Sequence, residues 1–547
     1  MSTTAVIADG REHLAGTRRI VRFTLRRDRL RIPIWAVSIA GLIGYFSAAL
    51  PIAYPDHESL QGRAAIMMEP SGALLAGPGY GLDDYTFGAM LTNEMLGWLA
   101  IASALMSIFL VVRHTRTEEE TGRAELIRAS VVGRHAHLTA AIANVIVANA
   151  AVTLLLFLAI ASGDFAIADA LAFSLGVGTT GLVFGGVAAV TAQVTEHSRT
   201  AVGMAGAVLG LAYVLRGIGD AQQRGGTWLS WLSPIGWAQQ TRAFTDLRWW
   251  PLLLNIALVV LLVGLSYLLS RRRDLGAGLV AARGGRADAT PGLLSSFGLN
   301  LRLERGSIIG WSIGLIVTGI LTGAMGQGIV ESFRDQPQLA QVFGVEDMAA
   351  FETGEVLRLS MARMLVFFAM AVAIYAVIAV NRQHREEAEG RTGAVLGSAI
   401  SRYRWLGGAL AVTTIGSAIL LLLSGLSFGL GIASSTGETS VVWDFTLAAL
   451  VYLPVALGFA GLAAVAYGLP RGGVWWVWTL LIGSIVLGMY GPLFNLPEAV
   501  SDRLPFALVP ALPAAAFDAG AVLAVTAAAA ALLAVASALF RRRDLTA

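Results

Sequence analysis

The 547-residue chain contains no cysteine and no lysine. Without cysteine neither a disulfide framework nor a thiolate metal site can form, and the redox state of the compartment leaves no trace in the sequence. Without lysine, all 39 basic residues are arginine. A phosphate-cradling P-loop, which sets its lysine on the β- and γ-phosphates, therefore cannot be built from this chain. Charge is scarce too: 14% of residues are charged and 56% hydrophobic, against roughly 25% charged in soluble domains. That balance belongs to a membrane protein. The seven histidines fall in or beside polar connections without HExxH-type spacing, so no metal centre or cofactor is expected on the chain. The basic first 31 residues lack a short apolar core followed by a small-residue cleavage site, so no cleaved leader is expected.

What the sequence has in abundance is long apolar runs. A helix needs about 20 mostly apolar residues to cross a hydrocarbon core of about 30 Å. Twelve stretches qualify, near 32–53, 88–112, 138–162, 167–192, 200–218 and 249–270, then 307–330, 357–380, 405–433, 444–468, 473–491 and 514–540. Short arginine-rich loops stay cytoplasmic. With both termini inside, thirty arginines lie on the cytoplasmic side and seven outside, which predicts twelve spans and two cytoplasmic termini.

The chain repeats itself. Residues 116–134, RTEEETGRAELIRASVVGR, are answered by residues 385–402, REEAEGRTGAVLGSAISR. Glu118, Glu119, Gly122, Arg123, Ser130 and Arg134 match Glu386, Glu387, Gly390, Arg391, Ser398 and Arg402 at a constant offset of 268 residues. The run SRRRDL at 270–275 closes the first half as FRRRDL at 540–545 closes the second, and LRRDR ahead of Trp35 is echoed by LRLER ahead of Trp311. A repeat at nearly half the chain length marks an internal duplication. The expected organisation is an amphipathic N-terminal helix over 1–31, a six-span half over 32–275 with a polar loop at 113–136, a cytoplasmic linker over 276–300, and a second six-span half over 301–547 with a polar loop at 381–404. In the N-terminal segment Ile20, Val21, Phe23, Leu25 and Leu30 share one broad arc and Arg18, Arg19, Arg22, Arg26 and Arg29 the other, as suits a helix lying along the inner membrane face. Its echo is expected at 296–306.

Both polar loops directly follow a long span, and each combines a carboxylate cluster, a glycine able to turn the chain, an arginine and a short helix-compatible run. A charged short helix held below the membrane suits docking on a soluble partner; a solvated positive-inside loop would explain the arginines but not the paired glutamates or their recurrence. Glu119 and Arg123 are expected on a water-exposed surface.

The stretch TEEETGRAELIRASVVGR resembles the loop of ABC-2-type permeases, the membrane subunits of ATP-binding-cassette exporters. The second copy departs from it, with Gly393 and Ala394 where the first has Glu125 and Leu126. Over nearly all of its length the chain resembles the double-length, twelve-span permeases of high-GC Gram-positive bacteria that export polyketide antibiotics of the tetronasin type. The resemblance implies an all-α polytopic fold of the ABC-2 or type V exporter kind, two tandem six-helix halves in the bacterial cytoplasmic membrane. It implies that Glu118, Glu119, Gly122, Arg123 and Glu125, with Glu386, Glu387, Gly390 and Arg391, form ATPase-coupling loops. It further implies a separately encoded ATPase subunit, in two copies, which carries the ATP and magnesium, and a small hydrophobic or amphipathic substrate; no nucleic acid is involved. Two alternatives stay open: a proton-driven secondary transporter, and an exporter of a lipid or cell-envelope precursor.

In related exporters spans two and eight help to line the path. Here they carry Met95, Trp98 and Met106, and Met364, Phe367, Phe368 and Tyr375. Such side chains suit a promiscuous apolar cavity as well as ordinary helix packing. Glu94 lies within span two and Arg363 within span eight. The repeat offset sets Arg363 opposite Met95, so both lie about 26–27 Å above the cytoplasmic ends of their spans. Each can snorkel to the outer interface alone, or the two can pair as an outer gate. The external loops 51–87 and 331–355 are expected as lids, with Gly81-Leu82-Asp83-Asp84 answered by residues 344–347.

Overall fold

The computed structural model describes residues 13–68, 70–129, 132–280, 288–326, 353–469, 473–490 and 497–544. Ser130, the 344–347 segment and the ends of the spans expected at 307–330 and 473–491 lie outside these. All regular structure among the described residues is helical, and the chain divides into two compact units, Met1–Gly285 and Arg286–Ala547.

In the first unit α1 (Thr17–Arg27) joins α2 (Arg31–Ala53) at a bend of 59°. The short helices α3 (His57–Met68) and α4 (Pro70–Leu75) lead to α5 (Phe87–Met90), a π-helical turn (Leu91–Met95) and α6 (Leu96–His114), followed by α7 (Arg116–Glu120) and α8 (Arg123–Arg128). Helices α9 (Ala136–Ala161), α10 (Ile167–Val194), α11 (Ser198–Gln222), α12 (Pro234–Gln239) and α13 (Pro251–Ser270) complete it. The buried centre is α10, packed against α6, α9 and α13. Lipid gives helices no hydrophobic reason to associate, so small residues and buried hydrogen bonds do it. A Cβ on Gly181 would stand 2.0 Å from Asn149 Oδ1 and 2.3 Å from Ser103 Oγ. Because it has none, Ser103 donates to Asn149, and Asn149 to Ser107, at 2.7 and 2.8 Å inside the bundle.

The second unit comprises α14 (Ser296–Ala324), α15 (Thr353–Ala388), α16 (Arg391–Leu396), α17 (Arg402–Thr436), α18 (Val441–Leu450), α19 (Leu453–Gly468), α20 (Trp475–Tyr490), α21 (Glu498–Ser501) and α22 (Ala519–Arg542). Here α14 lies on α17 through glycine: a Cβ on Gly319 would be 2.2 Å from Ser427 Oγ, and one on Gly323 would be 2.3 Å from the Phe428 carbonyl.

Among the described residues ten helices are long and apolar enough to cross a membrane, or eleven if the bent α1–α2 pair is one span. At the eleventh expected position stands α20, whose 16 residues reach about 24 Å. The expected span at 444–468 is present over Val441–Gly468, with a turn at residues 451–452 between α18 and α19, ahead of Pro454 in the first turn of α19. The echo of the N-terminal segment is not a separate helix: α14 runs 29 residues from Ser296 straight into the membrane-length rod. The difference lies at the turn. Asp28 closes α1 and its carboxylate is drawn onto α6 and α9, whereas the helix-forming LRLER run passes through Glu304 without interruption.

Candidate coupling surface

At one end of each unit the same interactions recur, and they involve the duplicated motif. In the first unit Glu119 receives both arms of Arg273, at 2.7 and 2.8 Å, while Arg273 also donates to Gln193 at 2.7 Å. Glu118 accepts from Arg27 of α1. Arg116, fully buried, donates to the Ala192 carbonyl at 2.6 and 3.0 Å and to those of Gly276 and Ala277. Arg134 donates to the carbonyls of Ser270, Arg271 and Arg273, supplying the donors that the end of α13 lacks.

In the second unit Arg543 donates to Glu387 at 2.7 Å and to the Tyr467 carbonyl at 2.5 Å. Arg402 donates to the carbonyls of Phe540, Arg541 and Arg543 at the end of α22, as Arg134 does for α13. Glu386 takes both arms of Arg391, at 2.6 and 3.0 Å. These hydrogen bonds, donated to Glu386, hold the Arg391 guanidinium well above its ordinary value. Each motif thus ties the foot of a long central helix to the C-terminal end of the last helix of its own unit.

The glycines set the geometry. Gly122 has φ 71° and Gly390 φ 75°, left-handed in both cases, and each begins a short helix, α8 or α16. Any other L-residue there would cost roughly 1–2 kcal/mol.

This arrangement corrects the expected exposure. The side chains of Glu119 and Glu118 keep only 10% and 8% of their surface accessible, and those of Glu386 and Glu387 only 9% and 6%. A carboxylate at the foot of an apolar bundle is costly unless paired. The exposed face belongs instead to the short helices: Arg123 (58%), Glu125 and Leu126 (77%) on α8, and Arg391, Gly393 and Ala394 on α16.

A second clamp holds the first helix of each unit. Asp28 accepts from His114 and from Asn144 at 2.9 Å, with Arg113 at 3.6 Å. Burial by itself would raise the Asp28 carboxyl. The hydrogen bond and charge of His114, with help from Asn144, outweigh it and hold the carboxyl below its usual value. In the second unit Glu304 meets Arg382 at 2.6 Å beside a 3.1 Å hydrogen bond from Gln383 to Asn300. His114 and Arg382 are one repeat apart.

At the opposite end of α6, Glu94 lies buried on the π-helical turn. Its carboxylate is gripped by Arg63 of α3 at 2.6 and 3.1 Å and accepts from the Tyr85 hydroxyl at 3.1 Å. The sequence had given Arg63 no role, although it is the sole arginine between residues 51 and 87 and a carboxylate at membrane depth needs a counter-charge. Arg363 stands at an exposed position of α15. Of the side chains considered for a substrate path, Trp98 (49%) and Phe367 (37%) are exposed, and Met95 and Met364 half-buried. Met106, Phe368 and Tyr375 are core residues, because they fall on the faces that α6 and α15 turn toward their own bundles. Among the described residues no group of three or more histidine, aspartate or glutamate side chains is placed to hold a metal ion.

Ten membrane-length helices among the described residues, with short charged helices pinned at their ends, are the architecture of a multi-pass membrane protein. The family model described as "Multidrug efflux system permease Rv1217c, C-terminal domain" matches residues 59–271 and 293–541. The chain is 36% identical over 540 residues to the multidrug efflux system permease protein Rv1217c of Mycobacterium tuberculosis (strain ATCC 25618 / H37Rv), covering 97% of this chain and 95% of that protein. The chain belongs to the Rv1217c family of multidrug efflux permeases.

Proposed function

We propose that this chain is the permease subunit of an ATP-binding-cassette exporter, which extrudes hydrophobic or amphipathic compounds with energy from a separately encoded ATPase in two copies. In this reading twelve spans cross the cytoplasmic membrane of a bacterium, both termini are cytoplasmic, and α8 and α16 are the coupling helices. The observation that carries it is the pair of exposed short helices, each following directly on glutamates held in buried ion pairs at the foot of a long helix. A push on such a helix reaches the bundle without being absorbed by a slack loop. The name of the mycobacterial relative, a multidrug efflux system permease protein, supports drug-like substrates. A proton-driven cycle would want a carboxylate at depth that can exchange its proton, and Glu94 is engaged by Arg63 and Tyr85.

The test is to express the chain with candidate ATPase partners, purify through a tag on the permease, and measure nucleotide hydrolysis and drug accumulation in vesicles. An ATPase should co-purify and transport should require ATP. Drug export by the chain alone, driven by a proton gradient, would replace this reading.

A further inference from the structure

Helix α1 rests on the first unit through Ile20 and Thr24, with Ile20 packed near Ala136 and Ala140 of α9. The other side of the helix is turned away from the unit. There Arg18, Arg22 and Arg26 stand exposed one turn apart, with Arg29 just past the end, and together with Val21 and Leu25 they line a shallow groove of about 420 Å³. Basic residues nearby are engaged: Arg27 with Glu118, Arg113 with Asp28, Arg116 with Ala192 and Arg273 with Glu119. Among the described residues Arg18, Arg22, Arg26 and Arg29 make no side-chain hydrogen bond or ion pair. Four unpaired guanidinium groups in a row select an anion, and their planar forks suit phosphate oxygens.

The neighbouring apolar side chains identify which phosphate. Phe23 (56%) and Leu30 (68%) are exposed beside the arginine row and continue as exposed Ile34 (62%) and Val37 (60%) along the apolar helix α2. An apolar edge that runs from a membrane-length helix onto the bent segment sets the arginines at the boundary between hydrocarbon and headgroups. We propose that α1 is a binding site for the phosphate groups of anionic phospholipids, with Arg18, Arg22, Arg26 and Arg29 as its ligands. The row is not repeated in the second unit. There α14 is straight, it exposes only Arg302 and Arg305 over the matching stretch, and Glu304 between them is paired with Arg382. The site therefore belongs to the first unit alone and does not depend on the energy source of transport.

The full-length protein in detergent can be titrated with phosphatidylglycerol, phosphatidylcholine or inorganic phosphate, with bound lipid read by native mass spectrometry and thermal unfolding followed in parallel. Phosphatidylglycerol should be retained in preference to phosphatidylcholine. Each arginine changed to glutamine should weaken it roughly fivefold, so Arg18→Gln/Arg22→Gln should lose about 25-fold while keeping enough basic residues to insert correctly. Arg302→Gln/Arg305→Gln should change nothing. Three results would overturn the proposal: no preference between the two lipids, saturation by inorganic phosphate at the same concentrations, or a double variant that keeps its lipid affinity yet loses association with an ATPase. The last would make the arginine row a protein-docking face.

Discussion

Arg273 and Glu119 meet in a two-armed ion pair at the foot of the first unit, 154 residues apart in sequence, and Arg543 and Glu387 form the matching ion pair through one arm in the second. The glutamates of the duplicated motif are therefore braces. What they brace is the pair of short helices that carry the exposed residues.

Removing one partner of such a pair strands a mostly buried charge. Glu119→Ala or Arg273→Ala should cost on the order of 3 kcal/mol, seen as a lower midpoint of thermal unfolding in detergent. Arg123→Ala, exposed on α8, should stay within about 0.5 kcal/mol of the parent and reduce ATPase co-purification. If Arg123→Ala unfolds the protein as readily as Glu119→Ala, the division between brace and docking residue is wrong.

The two short helices should not contribute equally. Leu126 presents an apolar side chain that is 77% exposed, where the second unit has Ala394. Burying a leucine stabilises a contact by about 2 kcal/mol, so Leu126→Ala should weaken ATPase binding roughly 30-fold and Ala394→Gly only slightly. Binding of the purified ATPase to each variant measures this, and equal losses would remove the asymmetry.

At the other end of α6, Glu94 should couple to Arg63. Glu94→Gln and Arg63→Gln should each impair export, and in the double variant the losses should fall short of their sum by more than about 0.5 kcal/mol. The charge exchange Glu94→Arg/Arg63→Glu should recover part of the activity and Glu94→Arg/Arg363→Glu should not. Recovery in the second exchange would restore the pairing of Glu94 with Arg363 as an outer gate.

The clamp on α1 has an acid limit. Because the folded protein holds the Asp28 carboxyl below its ordinary value, the unfolded chain takes up the proton first as pH falls. The stability contributed by Asp28 is present above about pH 4 and is lost as pH falls further, through the folded value. The difference in unfolding midpoint between the parent and Asp28→Asn should be constant from pH 7 to about pH 4.5 and shrink below that. A difference that already shrinks between pH 7 and 5 would show that a group other than Asp28 governs the clamp.

Much of this was written locally. The length and composition of the apolar runs point to helices of membrane length, since a backbone in lipid must satisfy its own hydrogen bonds, and among the described residues ten such helices are present. The duplication was legible as well: the EEETGR and EEAEGR motifs and the two RRRDL runs were visible as repeats, and Gly122 and Gly390 as turn residues. What no local pattern could supply is that the motif and the RRRDL run of each unit bind each other, so that their charges are consumed within the bundle and the exposed face passes to Arg123, Leu126 and Ala394. The same holds for Glu94. Its level in span two followed from residue counting, but its partner Arg63 arrives from a separate helix that only the folded chain brings alongside. The bend at Asp28 and the straight passage of α14 through Glu304 were likewise decided by contacts to α6, α9 and α15. Charge at a membrane-protein foot is stabilised by whatever counter-charge the packing delivers, and packing delivers it from as far as 156 positions away, as in Arg543 with Glu387.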